Sequence, residues 1–82
     1  MEIKILGSGC PNCKRLEALA REAASELGVD ATFTKVTDAA EIMKYDILST
    51  PGLVIEGNVV ASGRVPRRDE IAGWIEAVGH TE

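Results

Sequence analysis

Gly9-Cys10-Pro11-Asn12-Cys13-Lys14 stands two residues after the largely apolar run Ile3-Lys4-Ile5-Leu6 and directly before a strongly helical stretch. A strand, a tight turn carrying Cys-x-x-Cys and then a helix is an arrangement for dithiol chemistry, because this spacing lets both sulfurs meet in a small loop. The helix also sets its positive end beneath the first sulfur. That draws a thiol pKa down from about 8.5 toward the range where a useful fraction is thiolate at neutral pH. Pro11 suits the first helical position, where its missing N–H would have no partner, and Cys10 then falls at the N-cap.

Working outward, Glu2-Ile3-Lys4-Ile5-Leu6 reads as a first strand ended by Gly7-Ser8-Gly9, whose glycines allow a sharp, close-approaching turn. Leu16, Leu19, Ala20, Ala23 and Leu27 recur at helical spacing until Gly28 ends the helix. Ala31 to Val36 alternates apolar and polar residues and reads as a second strand, so strand, helix and strand form a parallel βαβ unit with a right-handed crossover. Asp38 with Glu41 marks the start of a short helix running to about Lys44, with Ile42 and Met43 as its apolar contacts. Gly52-Leu53-Val54-Ile55 and Val59-Val60-Ala61 read as a hairpin turning at Gly57-Asn58. A last helix begins near Pro66, carries Ile71, Trp74, Ile75 and Val78 on one face and ends before Gly79. The expected order is βαβαββα, an α/β fold with a four-stranded mixed sheet flanked by helices.

At 82 residues the chain is expected to form one domain, residues 1–82, around one small core. A bridge between its two cysteines would close too short a loop to stabilise much through chain entropy, so their pairing is chemical rather than structural. Without a spare cysteine or a charged-then-apolar start, a reducing, cytoplasmic setting is the expectation. The apolar runs fall far short of the roughly 20 residues needed to span a bilayer. Nine basic against thirteen acidic residues give a net charge of −4 with no basic stripe, which excludes a nucleic-acid footprint and favours a soluble monomer.

The order of elements, Cys10-Pro11-Asn12-Cys13-Lys14 at the first helix, Lys44-Tyr45-Asp46-Ile47-Leu48-Ser49-Thr50-Pro51 before the hairpin, and Gly57 to Pro66 together resemble the thioredoxin superfamily in its minimal form. The resemblance covers nearly the whole chain and implies a thiol-disulfide oxidoreductase of thioredoxin-like fold. It implies Cys10 as the exposed attacking thiol, Cys13 as the more buried resolving thiol, and Pro51 as a cis-proline facing the disulfide. Thr50 would pair its backbone with a substrate peptide as an added strand, beside Pro11 and Asn12 of the turn. No cofactor beyond the Cys10–Cys13 disulfide is implied. The partners would be a disulfide-containing protein and a separate donor similar to thioredoxin reductase, since no dinucleotide fingerprint is present. Gly9 stands where thioredoxins place a Trp, and the first strand lacks their buried Asp. Thr50-Pro51 and Ser62-Gly63-Arg64 also differ from the glutathione-binding segments of glutaredoxins.

Two other readings stay open from sequence. A strand, Cys-x-x-Cys and a helix also open the ferredoxin-like βαββαβ domains that hold monovalent copper, although those carry a Met where Ser8 stands. A non-catalytic module could instead present Cys10 or the edge near Thr50 to a partner. Lys14 would favour the thiolate or simply be solvated. Arg67 and Arg68 oppose the dipole of the last helix and read as its solvated start. Tyr45 and Trp74 read as packing residues, and His80 as part of a frayed tail.

Overall fold

In the computed structural model, which describes residues 1–7, 9–47 and 49–79, the strand β1 (Glu2–Leu6) occupies a central place in a four-stranded sheet. Alternation along β1 sends Ile3 and Ile5 to one face and Lys4 and Leu6 to the other. The first face is covered by α1 (Pro11–Glu26), whose buried residues Cys13, Leu16, Ala20, Ala23 and Ala24 recur at helical spacing. The helix ends at Leu27, followed by Gly28 at a φ of 67°. The chain then returns as β2 (Thr32–Val36), parallel to β1 with Ile3 opposite Phe33. The expected βαβ unit is therefore present, with Ala31 outside its second strand.

The short helix α2 (Ala39–Met43) is capped by Asp38, whose carboxylate accepts the Ala40 N–H at 2.9 Å. It buries none of its side chains, and Met43, expected as an apolar contact, is 75% exposed. The residues after α2 do the covering. Tyr45 Oη lies 3.1 Å from Lys4 Nζ, and Ile47 packs so closely on Gly52 that a methyl group there would sit 3.0 Å from Ile47 Cδ1 and 3.2 Å from Leu6 Cδ1.

The strands β3 (Gly52–Ile55) and β4 (Asn58–Ser62) complete the sheet in the order β2-β1-β3-β4, with β3 antiparallel to both neighbours. Their hairpin turns at Glu56-Gly57, one residue earlier than the sequence suggested. Both residues have positive φ, 50° and 82°, as the twist-compatible two-residue turn requires, and Asn58 already pairs with Ile55. Val54 faces Val59 while Leu53 faces Ala61, which leaves Val60 as an extra residue in β4. The helix α3 (Arg68–Gly79) lies beside α1, and its fully buried Ile71 and Ile75 join Leu16, Leu53 and Ile55 in the core. Each such side chain stabilises the fold by about 1.5–3 kcal/mol. Pro66 is buried ahead of α3 rather than at its first position, and Gly79 lies inside the helix.

The start of α3 is fastened by Glu70. Its carboxylate accepts the Arg67 backbone N–H at 3.0 Å and both terminal nitrogens of Arg64, at 3.2 and 3.0 Å. These bonds, Arg64's first, hold the Glu70 carboxyl at about 2 instead of the usual 4.5. Because the folded value lies below the unfolded one, this stabilisation is whole above about pH 4.5 and fades as pH falls toward 2. Acid unfolding of a Glu70→Gln variant is expected to depend less steeply on pH across that window. Parallel curves for the two proteins would show that the network contributes nothing.

Candidate active site

After Leu6 the chain turns through Gly7 and Gly9, the latter at a φ of 79° that only glycine adopts without strain. This brings Cys10 to the N-terminus of α1 in extended conformation, with φ −67° and ψ 161°. As N-cap, Cys10 Sγ accepts the Cys13 N–H at 3.2 Å, and its carbonyl accepts the Lys14 N–H at 3.1 Å. The Cys13 N–H and the helix dipole thus converge on this sulfur, the geometry that stabilises a thiolate once the bridge is opened. Cys10 and Cys13 are joined by a disulfide with their Cα atoms 5.1 Å apart. The two sulfurs differ in access. Cys10 is half-buried, whereas Cys13, inside the first turn of the helix, is only 4% exposed. Pro11 and Asn12 between them are exposed.

Gly7 is the residue that sequence reading undervalued. It is buried, its N–H donates to the Val36 carbonyl at 2.9 Å, and a Cβ placed on it would collide with Cys13 Sγ. The same Cβ would lie 3.3 Å from Cys13 Cβ and 3.8 Å from Thr50 Cβ. Gly7 is therefore where the disulfide and the loop before β3 meet, and only a missing side chain permits the approach. In that loop the Thr50-Pro51 bond is cis, Thr50 is exposed, Pro51 is buried, and the Pro51 carbonyl accepts the Gly63 N–H at 2.9 Å. The structure thus brings Cys10, Pro11, Asn12 and Cys13 into one turn and sets Thr50 and Pro51 across Gly7 from it.

Beneath the covered sulfur lies a cavity of about 50 Å³, lined by Gly7, Gly9, Cys13, Lys14, Glu17 and Lys35 among others. Glu17 Oε2 accepts Arg21 Nε at 3.0 Å, and Glu17 Oε1 meets Lys35 Nζ at 3.2 Å. Burial pushes this carboxyl up, but the hydrogen bonds from Arg21 and Lys35 outweigh burial and hold it below the usual carboxylate range. An ionised, neutralised carboxylate next to Cys13 was not anticipated. Its one visible sign in sequence was the Glu17–Arg21 spacing of four.

Other residues singled out from sequence lie elsewhere. Tyr45 holds Lys4, and Trp74 packs against the core. Arg67 and Arg68 are both exposed, in keeping with a solvated helix start, and form surface ion pairs, Arg67 with Asp69 and Glu70 and Arg68 with Glu22 and Glu26 on α1. Ser8 and His80 fall outside the described residues, as does Leu48. Among the described residues no group of three or more His, Cys, Asp or Glu could hold a metal ion, and no helix is long and apolar enough to cross a membrane.

Residues 1–76 match the family described as Thioredoxin domain. The chain is 44% identical over 71 residues to a protein named Thioredoxin from Methanothermobacter thermautotrophicus, covering 87% of this chain and 92% of that one. It is 39% identical over 69 residues to a protein of the same name from Methanocaldococcus jannaschii, covering 84% of this chain and 79% of the relative.

Proposed function

The chain belongs to the thioredoxin family and is a thiol-disulfide oxidoreductase, and from that premise we propose that it reduces protein disulfides with Cys10 attacking and Cys13 resolving. The observation that carries this division of labour is the unequal access of the two sulfurs at the N-terminus of α1. In the proposed cycle the Cys10 thiolate attacks one sulfur of the substrate disulfide and expels the other as a thiolate. Cys13, giving up its proton, then attacks Cys10 Sγ and releases the second substrate thiolate. Two electrons pass to the substrate, and the Cys10–Cys13 disulfide remains.

Thr50, exposed ahead of the buried Pro51, would offer its backbone to an extended substrate segment lying over Pro11 and Asn12. Lys14, exposed one residue past Cys13, would add positive potential near the thiolate. Regeneration would draw on a separate reductase, with no cofactor resident in the chain. We assign residues 1–82 to one domain acting as a monomer in the cytoplasm, where a reducing environment keeps such a pair cycling.

Alkylation of the reduced protein tests the roles. Cys10 is expected to react first, at a pH below the free-cysteine range near 8.5, with Cys13 protected until the fold opens. Faster modification of Cys13 would exchange the two assignments.

A further inference from the structure

Two cations have no acidic partner among the described residues, and both follow Cys13 directly: Lys14 and Arg15. Every other lysine and arginine has a carboxylate within salt-bridge distance, Lys4 with Glu2, Arg21 and Lys35 with Glu17, Lys44 with Glu41, Arg64 with Glu70, and Arg67 and Arg68 as described. In a chain of net charge −4, positive charge left unneutralised beside the reactive turn is an exception to the rest of the surface.

Arg15 also borders an open groove of about 520 Å³. On one side Asn12, Arg15 and Leu19 form a stripe of α1 at helical spacing, and on the other stand Val65, Pro66 and Arg67. The α1 side of the groove ends at Asn12, the exposed residue between the two cysteines, which brings its edge to the Cys-x-x-Cys turn. Leu19 and Val65 are half-buried and Pro66 is buried, which provides apolar contact, while Arg15 supplies the charge that no carboxylate of the described residues neutralises.

We propose that this groove docks an acidic segment of the disulfide-bearing substrate protein, with a carboxylate near the reacting cysteine paired to Arg15. This rests on the reduction of protein disulfides assigned above and names the class of protein preferred. A guanidinium without a partner is suited to a carboxylate, which it can grip through two parallel hydrogen bonds. At the rim of an interface such a pair speeds encounter and selects partners more than it adds affinity.

The test uses three peptides with the same internal disulfide, flanked by aspartates, serines or lysines, reduced by the dithiol form of the full chain. At low salt kcat/KM for the aspartate peptide is expected to exceed that for the lysine peptide by roughly threefold to tenfold, with the gap closing as salt rises. Arg15→Glu should invert the ratio, and Arg15→Gln should narrow it, with Lys14 left as the one unpaired cation beside the turn. Equal rates for the two charged peptides, or a ratio unmoved by either variant, would overturn the docking proposal while leaving the reaction intact. Failure to reduce all three peptides, the serine one included, would overturn the reaction itself and the docking with it.

Discussion

Gly7→Ala is expected to lower stability by about 1–3 kcal/mol and to slow disulfide reduction on the order of tenfold to a hundredfold. The added methyl has nowhere to go, because it collides with Cys13 Sγ and lies close to Cys13 Cβ and Thr50 Cβ. Relief requires that α1 retreat or that the sulfur swing off its place beside Cys10. Both disturb the alignment on which exchange between two sulfurs depends. Gly57→Ala supplies the comparison. It too places a side chain at a positive φ, 82°, but in the hairpin turn with no atom within 4 Å of the new Cβ. That variant should lose about 1 kcal/mol through backbone strain and keep its rate. Unfolding midpoints and turnover of a small neutral disulfide measure both effects. A Gly7→Ala protein with unaltered stability and rate would mean that the glycine does not set the position of Cys13.

Cys13→Ser is expected to abolish turnover and to accumulate a covalent adduct on Cys10. Cys10 would remain at the N-cap, half-buried but still accessible, so attack on a substrate disulfide can proceed. The second step cannot, because a serine hydroxyl will not displace the substrate sulfur at neutral pH. Non-reducing gels of this variant with a disulfide-bonded peptide should show one adduct that dithiothreitol clears. Cys10→Ser leaves only a thiol that the fold keeps 4% exposed, and it should trap little. Equal trapping by both variants would remove the distinction between the attacking and the resolving sulfur.

Where structure follows from neighbours in the chain, the sequence was legible. The bounds of β1, Cys10 at the cap of α1, Gly28 after its end and Asp38 at the cap of α2 are all consequences of residues within a turn of one another. The parallel βαβ unit followed from the length of the helix between two strands. Misreadings arose where distant residues decide. Gly57-Asn58 is the stronger local turn signal, yet pairing of Ile55 with Asn58 moves the turn back to Glu56-Gly57. Met43 reads as an apolar contact of α2, but in a helix of five residues apolar character alone does not say which side chain meets the sheet.

At the site, the Cys-x-x-Cys turn was legible from its own spacing, whereas the cis bond before Pro51 was implied only by the resemblance to the thioredoxin superfamily. Gly7 read as part of a sharp, close-approaching turn, but what it approaches was not legible, since its contact with Cys13 comes from α1 folding back over β1. Glu17 was passed over for a related reason. Its partner Lys35 lies on β2, and nothing local shows that the pair borders the same cavity as Cys13. Arg68 likewise finds Glu22 and Glu26 only because α3 lies beside α1. The copper-binding alternative depended on a βαββαβ order, and the observed βαβαββα order with β2-β1-β3-β4 strands does not provide it.

The dithiol cycle is tested most directly by counting electrons in a single turnover. Fully reduced protein would be mixed with an excess of disulfide-bonded peptide, quenched with an alkylating agent and digested without reductant for mass spectrometry. One Cys10–Cys13 disulfide should form for each peptide disulfide lost, with neither cysteine alkylated. Peptide left oxidised while Cys10 and Cys13 both remain open to alkylation would contradict it.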